Sequence, residues 1–232
     1  MPLSERDVIR VMGGVLHGGW VVEDDVWFDE GTGLVVSIDA LVGGEDVPPG
    51  MGPEDVGWRA VTAAVSDLVC KGVAPLVVNV ALTLPPGVDN CFLEGLARGL
   101  KAACDYYRAA VGKCDVGRGR ELVVAISACG YARRRPPPRS GARPGDRVVV
   151  AAGFGCERMA LEAMLGELRI RESIREELVR RYLRPVVDVE KAVWAVGRGY
   201  VSAAIDSSDG LARSLHEISR ASGVGIVVRE LP

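Results

Sequence analysis

The chain contains no glutamine, and asparagine occurs only at Asn79 and Asn90. Lysine is scarce beside arginine, and no apolar run is long enough to span a bilayer. Depletion of thermolabile amides is typical of a thermophile, although the shortage of lysine is not. The missing apolar run and a polar amino terminus, where a secretory signal would be apolar, predict a cytoplasmic protein that does not enter membranes.

Charge and cysteine usage exclude further classes. A formal net charge of −3 provides no basic surface for nucleic acid. The six cysteines form no Cys-x-x-Cys pair, so a zinc site is poorly supported and most are interpreted as buried small hydrophobes. In a hyperthermophile intracellular disulfides would be admissible, but the sequence does not pair these cysteines. Neither the Gly-x-Gly-x-x-Gly fingerprint nor a P-loop is present, which argues against both common nucleotide-binding motifs.

A linker divides the chain. Segment 133–140 carries three prolines, which forbid regular structure, and four arginines, which favour solvent. We therefore expect two domains, 1–135 and 136–232, which suits a length of 232 residues.

Apolar periodicity and capping residues predict alternating helices and strands, and this alternation indicates an α/β or α+β fold. Ser4, Pro53 and Asp89 or Asn90 are typical first-turn or capping residues of helices. The expected helices run from Ser4 to about residue 12, over 54–70, from 89 or 90 through about 107, and over 157–168, 172–183, 188–196 and 210–221; the expected strands cover 31–38, 76–84, 121–129, 147–152, 201–205 and 224–228.

Aspartates at the ends of apolar segments, or inside one, are the most informative feature. Asp67 lies within an apolar helical sequence, and Asp39 and Asp206 each follow an apolar strand. No nearby lysine or arginine obviously neutralises them, and an unpaired carboxylate cannot stay ionised at low dielectric. Mg²⁺ held by carboxylates and substrate phosphates would compensate them. The set comprises Asp24, Asp25, Asp39, Asp67, Asp115 and Asp206, with Asp209 one helical turn beyond Asp206.

Each aspartate also has a structural interpretation. Asp67 could cap a neighbouring helix or pair with Arg59, and Asp39 could be an ordinary turn residue. Segment 205–210 combines two carboxylates with hydroxyls at a helix start, which suits either capping or metal–phosphate binding. Considered singly, the structural interpretation is favoured for each residue; considered together, the aspartates favour a metal–phosphate site.

The order and spacing of five motifs resemble a known family. Glu23-Asp24-Asp25 stands where the family has Gly-Asp-Asp, and the others are segments 37–39 (Ser-Ile-Asp), 66–68 (Ser-Asp-Leu), 144–146 (Pro-Gly-Asp) and 205–211 (Ile-Asp-Ser-Ser-Asp-Gly-Leu). On these motifs the chain resembles the thiamine-monophosphate kinase family of the aminoimidazole-ribonucleotide-synthetase superfamily over essentially its whole length.

This resemblance implies a fold and an activity. The fold would be the two-domain AIR-synthase-like one, with an N-terminal sheet-and-helix domain that dimerises and a C-terminal α+β domain. The activity would be transfer of the γ-phosphoryl group of ATP to thiamine monophosphate, giving thiamine diphosphate. The implied partners are ATP, thiamine monophosphate and a second copy of the chain.

The resemblance also implies roles for individual residues. Arg139 and Ser208 would contact ATP together with Asp115, and Asp46 falls near a substrate-facing position. Direct attack by an anionic phosphate oxygen needs no general base, so no catalytic side chain is expected. The implied Mg²⁺ ligands are Asp25, Ser37, Asp39, Asp67, Asp115, Asp206 and Asp209.

Four departures from the family pattern keep alternatives open. Lys113-Cys114 replaces two glycines before a turn expected to face phosphate, and Ile38 replaces a threonine. Asp46 replaces a histidine, and the chain stops before the family's Gly-Gly-Glu-Asp-Tyr segment, so we expect a shortened second domain. The alternatives to a thiamine-phosphate kinase are a related ATP-using enzyme with another small substrate, and a catalytically silent nucleotide-binding paralogue.

Overall fold

The computed structural model describes residues 4–16, 24–151 and 153–230. Glu23 of the first motif lies outside the described residues. The described elements are α1 (Glu5–Leu16), β1 (Trp27–Phe28), β2 (Leu34–Val42), α2 (Gly43–Asp46), α3 (Pro53–Cys70), β3 (Val77–Leu84), α4 (Asn90–Tyr106), β4 (Ala110–Arg118), β5 (Val123–Tyr131), a 3₁₀ turn (Arg139–Gly141), α5 (Cys156–Met164), α6 (Glu172–Leu183), α7 (Val189–Gly197) and α8 (Leu211–Ser222).

One five-stranded sheet, in the order β1-β2-β5-β3-β4, organises the first half of the chain. β5 pairs antiparallel with both β2 and β3, and β4 adds in parallel to β3 after the crossover through α4. Helices α3 and α4 pack against each other, and α3 lies on β2 and β5. The observed architecture is the mixed α/β fold that the alternating pattern predicts.

The two faces of the sheet differ. The first face packs under α3, and side chains alternate across a strand, so every second residue of β5 is buried there. The hydroxyl of Ser37 joins the two layers by donating to the carbonyl oxygen of Ala64 at 2.6 Å. On the second face the exposed fractions of Ile38, Tyr131 and Trp27 are 75%, 62% and 46%.

Two glycines let α3 and α4 cross closely. A Cβ atom on Gly99 would lie 1.9 Å from the carbonyl oxygen of Glu54, and one on Gly57 would lie 2.5 Å from that of Leu96. Both obstacles are backbone atoms of the facing helix, so neither contact can be relieved by rotating a side chain. The absence of a side chain at these positions therefore sets the helix separation.

The second half docks onto α3 through polar contacts to backbone. The Trp58 indole donates to the carbonyl oxygen of Pro185 at 2.7 Å, and Arg59 donates to that of Tyr182 at 2.7 Å. Arg59 also lies over the Tyr182 ring, 4.4 Å from its centroid. A second, smaller core forms around Ala160, Leu178 and Tyr182 between α5 and α6. The domain boundary expected near residue 135 stays a prediction.

Several element predictions are confirmed. Asp7 and Ser4 exchange hydrogen bonds at the start of α1, Pro53 opens α3, and the Asp89 carboxylate accepts from the Phe92 amide at the start of α4.

None of the described helices is both long and apolar enough to cross a membrane. The six cysteines are free thiols. The interpretation of most of them as buried is wrong, because only Cys104 is buried, whereas Cys70 and Cys129 are half-buried and Cys91, Cys114 and Cys156 are exposed.

Other predictions are wrong. Segments 147–151, 201–205 and 224–228 form no strand in the described part of the chain, because an apolar segment becomes a strand only where another strand pairs with it. Val149 accordingly stays exposed. The supposed turn at Lys113-Cys114 is part of β4, which was missed. The supposed solvated linker buries Pro136 and Pro137.

The close crossing of α3 and α4 predicts a stability effect. Gly99→Ala should lower the free energy of unfolding by about 1–3 kcal/mol or more, because the new methyl group would clash with the backbone of α3. Gly14→Ala is the matched control, since Gly14 is helical and nothing lies near its absent Cβ. That change should be neutral or add up to about 1 kcal/mol. Denaturant unfolding checks both, and equal effects would contradict the close crossing.

Candidate metal-phosphate site

Three aspartates that are remote in sequence converge beside the C-terminal half of α3. Asp25 precedes β1, Asp67 lies in α3 and Asp206 lies in the irregular segment before α8. One carboxylate oxygen from each lies within 4.8 Å of the others. The Ser66 hydroxyl donates to Asp206 at 3.1 Å and so holds that side chain beside α3. Oxygen ligands at such spacing suit a hard divalent cation such as Mg²⁺.

Two protein cations occupy one side of this carboxylate cluster. The Lys71 ammonium lies 2.6 Å from Asp24 and 2.7 Å from Asp25, and its side chain is fully buried. Arg139 donates from Nε to Oδ1 of Asp25 at 3.0 Å and contacts the same oxygen through Nη2. The expectation that no nearby lysine or arginine neutralises Asp24 and Asp25 is therefore wrong.

The cations separate the protonation behaviour of the three carboxylates. Burial would raise the pKa of Asp25, but the hydrogen bond from Arg139 and the charge of Lys71 outweigh it and hold that pKa below its usual value. Burial raises the pKa of Asp67 to about 9, and the charges of Asp206 and Asp25 add to the effect. Burial and the charge of Asp25 raise the pKa of Asp206 to about 6.

The charge balance leaves room for a further cation. Among the described residues, Lys71 and Arg139 are the cations that form ion pairs with the carboxylates Asp24, Asp25, Asp67 and Asp206, so the cluster has a formal charge of −2 when all four are ionised. Among the residues that the structure describes, no lysine or arginine forms an ion pair with Asp67 or Asp206. A divalent cation between these two carboxylates would neutralise the cluster, and the donor set fits Mg²⁺.

Asp39 and Ser37 lie next to the cluster on the first face of the sheet. The charge of Asp39 contributes to the raised pKa values of Asp67 and Asp206. One Asp39 oxygen accepts from the Ala40 amide at 2.7 Å. Ser37 is buried and donates its hydroxyl proton to α3, and its predicted role as a metal ligand stays a prediction.

The other predicted residues are not brought into the cluster. Residues that pair across neighbouring strands lie on the same face of a sheet, and Asp115, Ala81, Ala125 and Ala40 pair in this way across β4, β3, β5 and β2. Asp115 therefore lies on the second face, and two strands separate β4 from β2. Asp46 and Asp209 are not among the converging carboxylates: Asp46 accepts from the Val42 amide at 2.7 Å, and Asp209 lies 3.8 Å from Arg213. Ser208 is exposed. Their ligand roles stay predictions.

Sequence reasoning missed Lys71 and Ser66 as parts of the site. The available signal was the position of Lys71, which directly follows the apolar residues at the end of a helix. A lysine that is buried at such a position needs partners for its charge. Arg139, in contrast, was expected near the ATP phosphates, and the structure places it against Asp25.

Comparison with known proteins agrees with this geometry. The family described as AIR synthase related protein, N-terminal domain, matches residues 19–132. A thiamine-monophosphate kinase from Pyrococcus horikoshii is 34% identical over 212 residues, which cover 91% of this chain and 64% of the relative. One from Halobacterium salinarum is 32% identical over 227 residues, 97% of this chain and 73% of the relative.

Solved structures show the same likeness. AaThiL complexed with AMPPCP and TMP superimposes with a TM-score of 0.86 at 28% identity, covering 96% of this chain and 72% of that one. The chain spans only 64% of the length of the Pyrococcus relative, and 56% of a thiamine-monophosphate kinase from Aquifex aeolicus. Because the Halobacterium relative is 32% identical over 97% of this chain and 73% of its own length, the chain belongs to the thiamine-monophosphate kinase family of AIR-synthase-related proteins.

Proposed function

We propose that the chain binds Mg²⁺ and ATP at the carboxylate cluster and transfers the γ-phosphoryl group to thiamine monophosphate. The observation that carries the proposal is the convergence of Asp25, Asp67 and Asp206, of which, among the described residues, Asp25 alone forms ion pairs with protein cations. The complex of AaThiL with AMPPCP and TMP supports both substrates, since AMPPCP is an ATP analogue.

The chemistry requires alignment and charge neutralisation from the protein. An oxygen of the acceptor phosphate forms a bond to the γ-phosphorus as the bond to the β-phosphate oxygen breaks, and ADP leaves. The acceptor oxygen is already anionic, so no residue needs to remove a proton. Mg²⁺, when bound, would neutralise charge that develops on the phosphates. Asp67 and Asp206 would hold it, and Asp39 would complete the oxygen set on the sheet side.

The remaining family roles belong to the same proposal. Asp209 and Ser208 follow Asp206 in one motif and lie just before α8, and the exposed Ser208 would contact the nucleotide. Asp115 would have to reach phosphate from the second face of the sheet, as would be possible at an interface between two chains. A cytoplasmic location follows from the need for ATP. A thermophilic source stays a prediction.

An enzyme of the same superfamily with a different acceptor is the second candidate. The residue that favours it is Asp46, which falls near where the family resemblance implies a substrate-facing histidine and which accepts from the Val42 amide. A carboxylate would repel an acceptor phosphate that a histidine would attract. An assay of ATP consumption against a panel of phosphorylated acceptors distinguishes the candidates, because only the first requires thiamine diphosphate as product.

A homodimer through the second face of the sheet completes the proposal. Ile38, Trp27 and Tyr131 form part of an apolar surface there that no described element covers. Exposed apolar patches of this kind are typical of protein interfaces. Burying the patch against a second copy would also bring two β4 strands, each with an Asp115, toward the interface.

The kinase proposal predicts the effect of single carboxylate changes. Asp67→Asn and Asp206→Asn should each reduce kcat/KM for thiamine diphosphate formation at least about 100-fold, because each removes a carboxylate that would hold Mg²⁺ against the phosphates. Asp105→Asn, at an exposed ion pair with Lys101 on α4, is the matched control and should keep wild-type activity. Chromatographic detection of the product checks this. Full activity in Asp206→Asn would contradict the site.

The pKa of Asp67 predicts a pH dependence. Because this pKa is about 9 in the folded chain against an ordinary 3.8, the metal-free folded state holds a proton that the unfolded state releases between those values. The stability of the metal-free chain should therefore fall as pH rises through that window, and Asp67→Asn should flatten the decline.

The same pKa predicts that metal binding releases protons. Mg²⁺ requires the ionised carboxylate, so its binding at neutral pH should displace the proton of Asp67. Titration calorimetry in two buffers of different ionisation enthalpy measures the release. Asp67→Asn should abolish it, whereas Asp105→Asn should not. A buffer-independent enthalpy in the wild type would contradict a protonated Asp67.

The dimer proposal predicts the effect of a charge on the second face. Ile38→Glu should shift the chain from twice the monomer mass to the monomer mass in sedimentation equilibrium, because it buries an unpaired carboxylate at the interface. Val149→Glu, at an exposed valine outside the sheet, should leave the mass unchanged. A monomeric wild type would overturn the dimer.

A further inference from the structure

The environment of Lys71 resembles a cation site. Its ammonium lies 2.6 Å from Asp24, 2.7 Å from Asp25 and 2.6 Å from the carbonyl oxygen of Ala204, and the side chain has no exposed surface. An ammonium has three protons to donate, and three oxygen atoms accept them here. These oxygens come from the segment before β1 and from the segment that carries Asp206.

We propose that Lys71 is a built-in cation that takes the place of a metal ion on the Asp24–Asp25 side of the cluster and confines metal binding to the Asp67–Asp206 side. This inference rests on the proposed function, because it concerns the metal that the proposed kinase uses. Lys71 is a positioning residue in this assignment, since it acts through the carboxylates and not on the substrate.

The geometry supports this division of the cluster. Both oxygens of Asp25 are occupied by protein cations, Oδ2 by Lys71 and Oδ1 by Arg139. Asp206 accepts only from a neutral hydroxyl, that of Ser66, in the described structure. A metal ion therefore finds unneutralised oxygens only on the side of Asp67 and Asp206.

A covalently attached charge differs from a metal ion in two physical respects. Lys71 cannot dissociate, so Asp24 and Asp25 stay compensated at every Mg²⁺ concentration. Its third hydrogen bond, to Ala204, joins α3 to the segment that ends in Asp206. The segment that carries Asp206 is thereby held against α3 before metal or nucleotide binds. A phosphoryl-transfer site needs this kind of pre-organisation.

The test counts bound metal directly. Mn²⁺ replaces Mg²⁺ as the probe, no nucleotide is added because its phosphates would themselves bind Mn²⁺, and electron paramagnetic resonance measures free Mn²⁺ to obtain the number bound per chain. Lys71→Met should bind one Mn²⁺ more than the wild type. Lys71→Gln retains hydrogen-bond donors without the charge, and it should show the same gain if charge is the cause. Lys101→Met, at an exposed ion pair with Asp105, is the matched control and should bind the wild-type number.

Each outcome decides the role of Lys71. A Lys71 variant that folds only with Mn²⁺ supports the proposal, because a metal ion then replaces the ammonium. Wild-type Mn²⁺ counts in folded Lys71→Met and Lys71→Gln would overturn it, as would variants that stay unfolded even with Mn²⁺. Failure of the proposed metal site itself gives a different result, because the wild type and Lys101→Met would then bind no Mn²⁺. No turnover is measured, so the identity of the acceptor does not enter.

Discussion

Repulsion between buried carboxylates is the constraint on which the rest of this structure depends. Asp25, Asp67 and Asp206 approach within 4.8 Å in a partly buried setting, where neither water nor salt screens them well. The chain compensates one side with Lys71 and Arg139 and leaves the other side for a proton or a metal ion. The raised pKa values of Asp67 and Asp206 express this remaining imbalance.

Helix α3 connects the carboxylate cluster to the rest of the fold. Its buried face lies on the sheet, glycines let α4 cross it closely, and Trp58 and Arg59 hold the second half against it. Its C-terminal turns carry Ser66 and Asp67, and Lys71 follows directly after its last residue. A rigid helix that is packed on several sides keeps these groups at fixed separations, which a site on a loop could not do as well.

The two faces of the sheet carry different candidate functional residues. The first face packs under α3 and includes Asp39 beside the carboxylate cluster. The second face carries Asp115 and the exposed Ile38. Within one chain the sheet separates Asp39 from Asp115, and the proposed kinase would use both aspartates if the second chain of the proposed dimer brought its own Asp115 to the cluster. This separation links the proposed kinase to the proposed dimer more firmly than the apolar patch does alone.

The sequence by itself determined the local features and the need for compensation. Caps at Ser4 and Asp89 act within one turn, so the helix starts could be predicted, and Asp67 in an apolar helix indicated a buried charge. Only the tertiary structure decided which groups meet. Lys71 reaches Asp25 from a remote part of the sequence, Asp115 lies on the opposite face of the sheet, and segments 201–205 and 224–228 pair with no strand among the described residues. Ion pairs, sheet faces and strand pairing depend on distances between remote segments, and packing alone sets those distances.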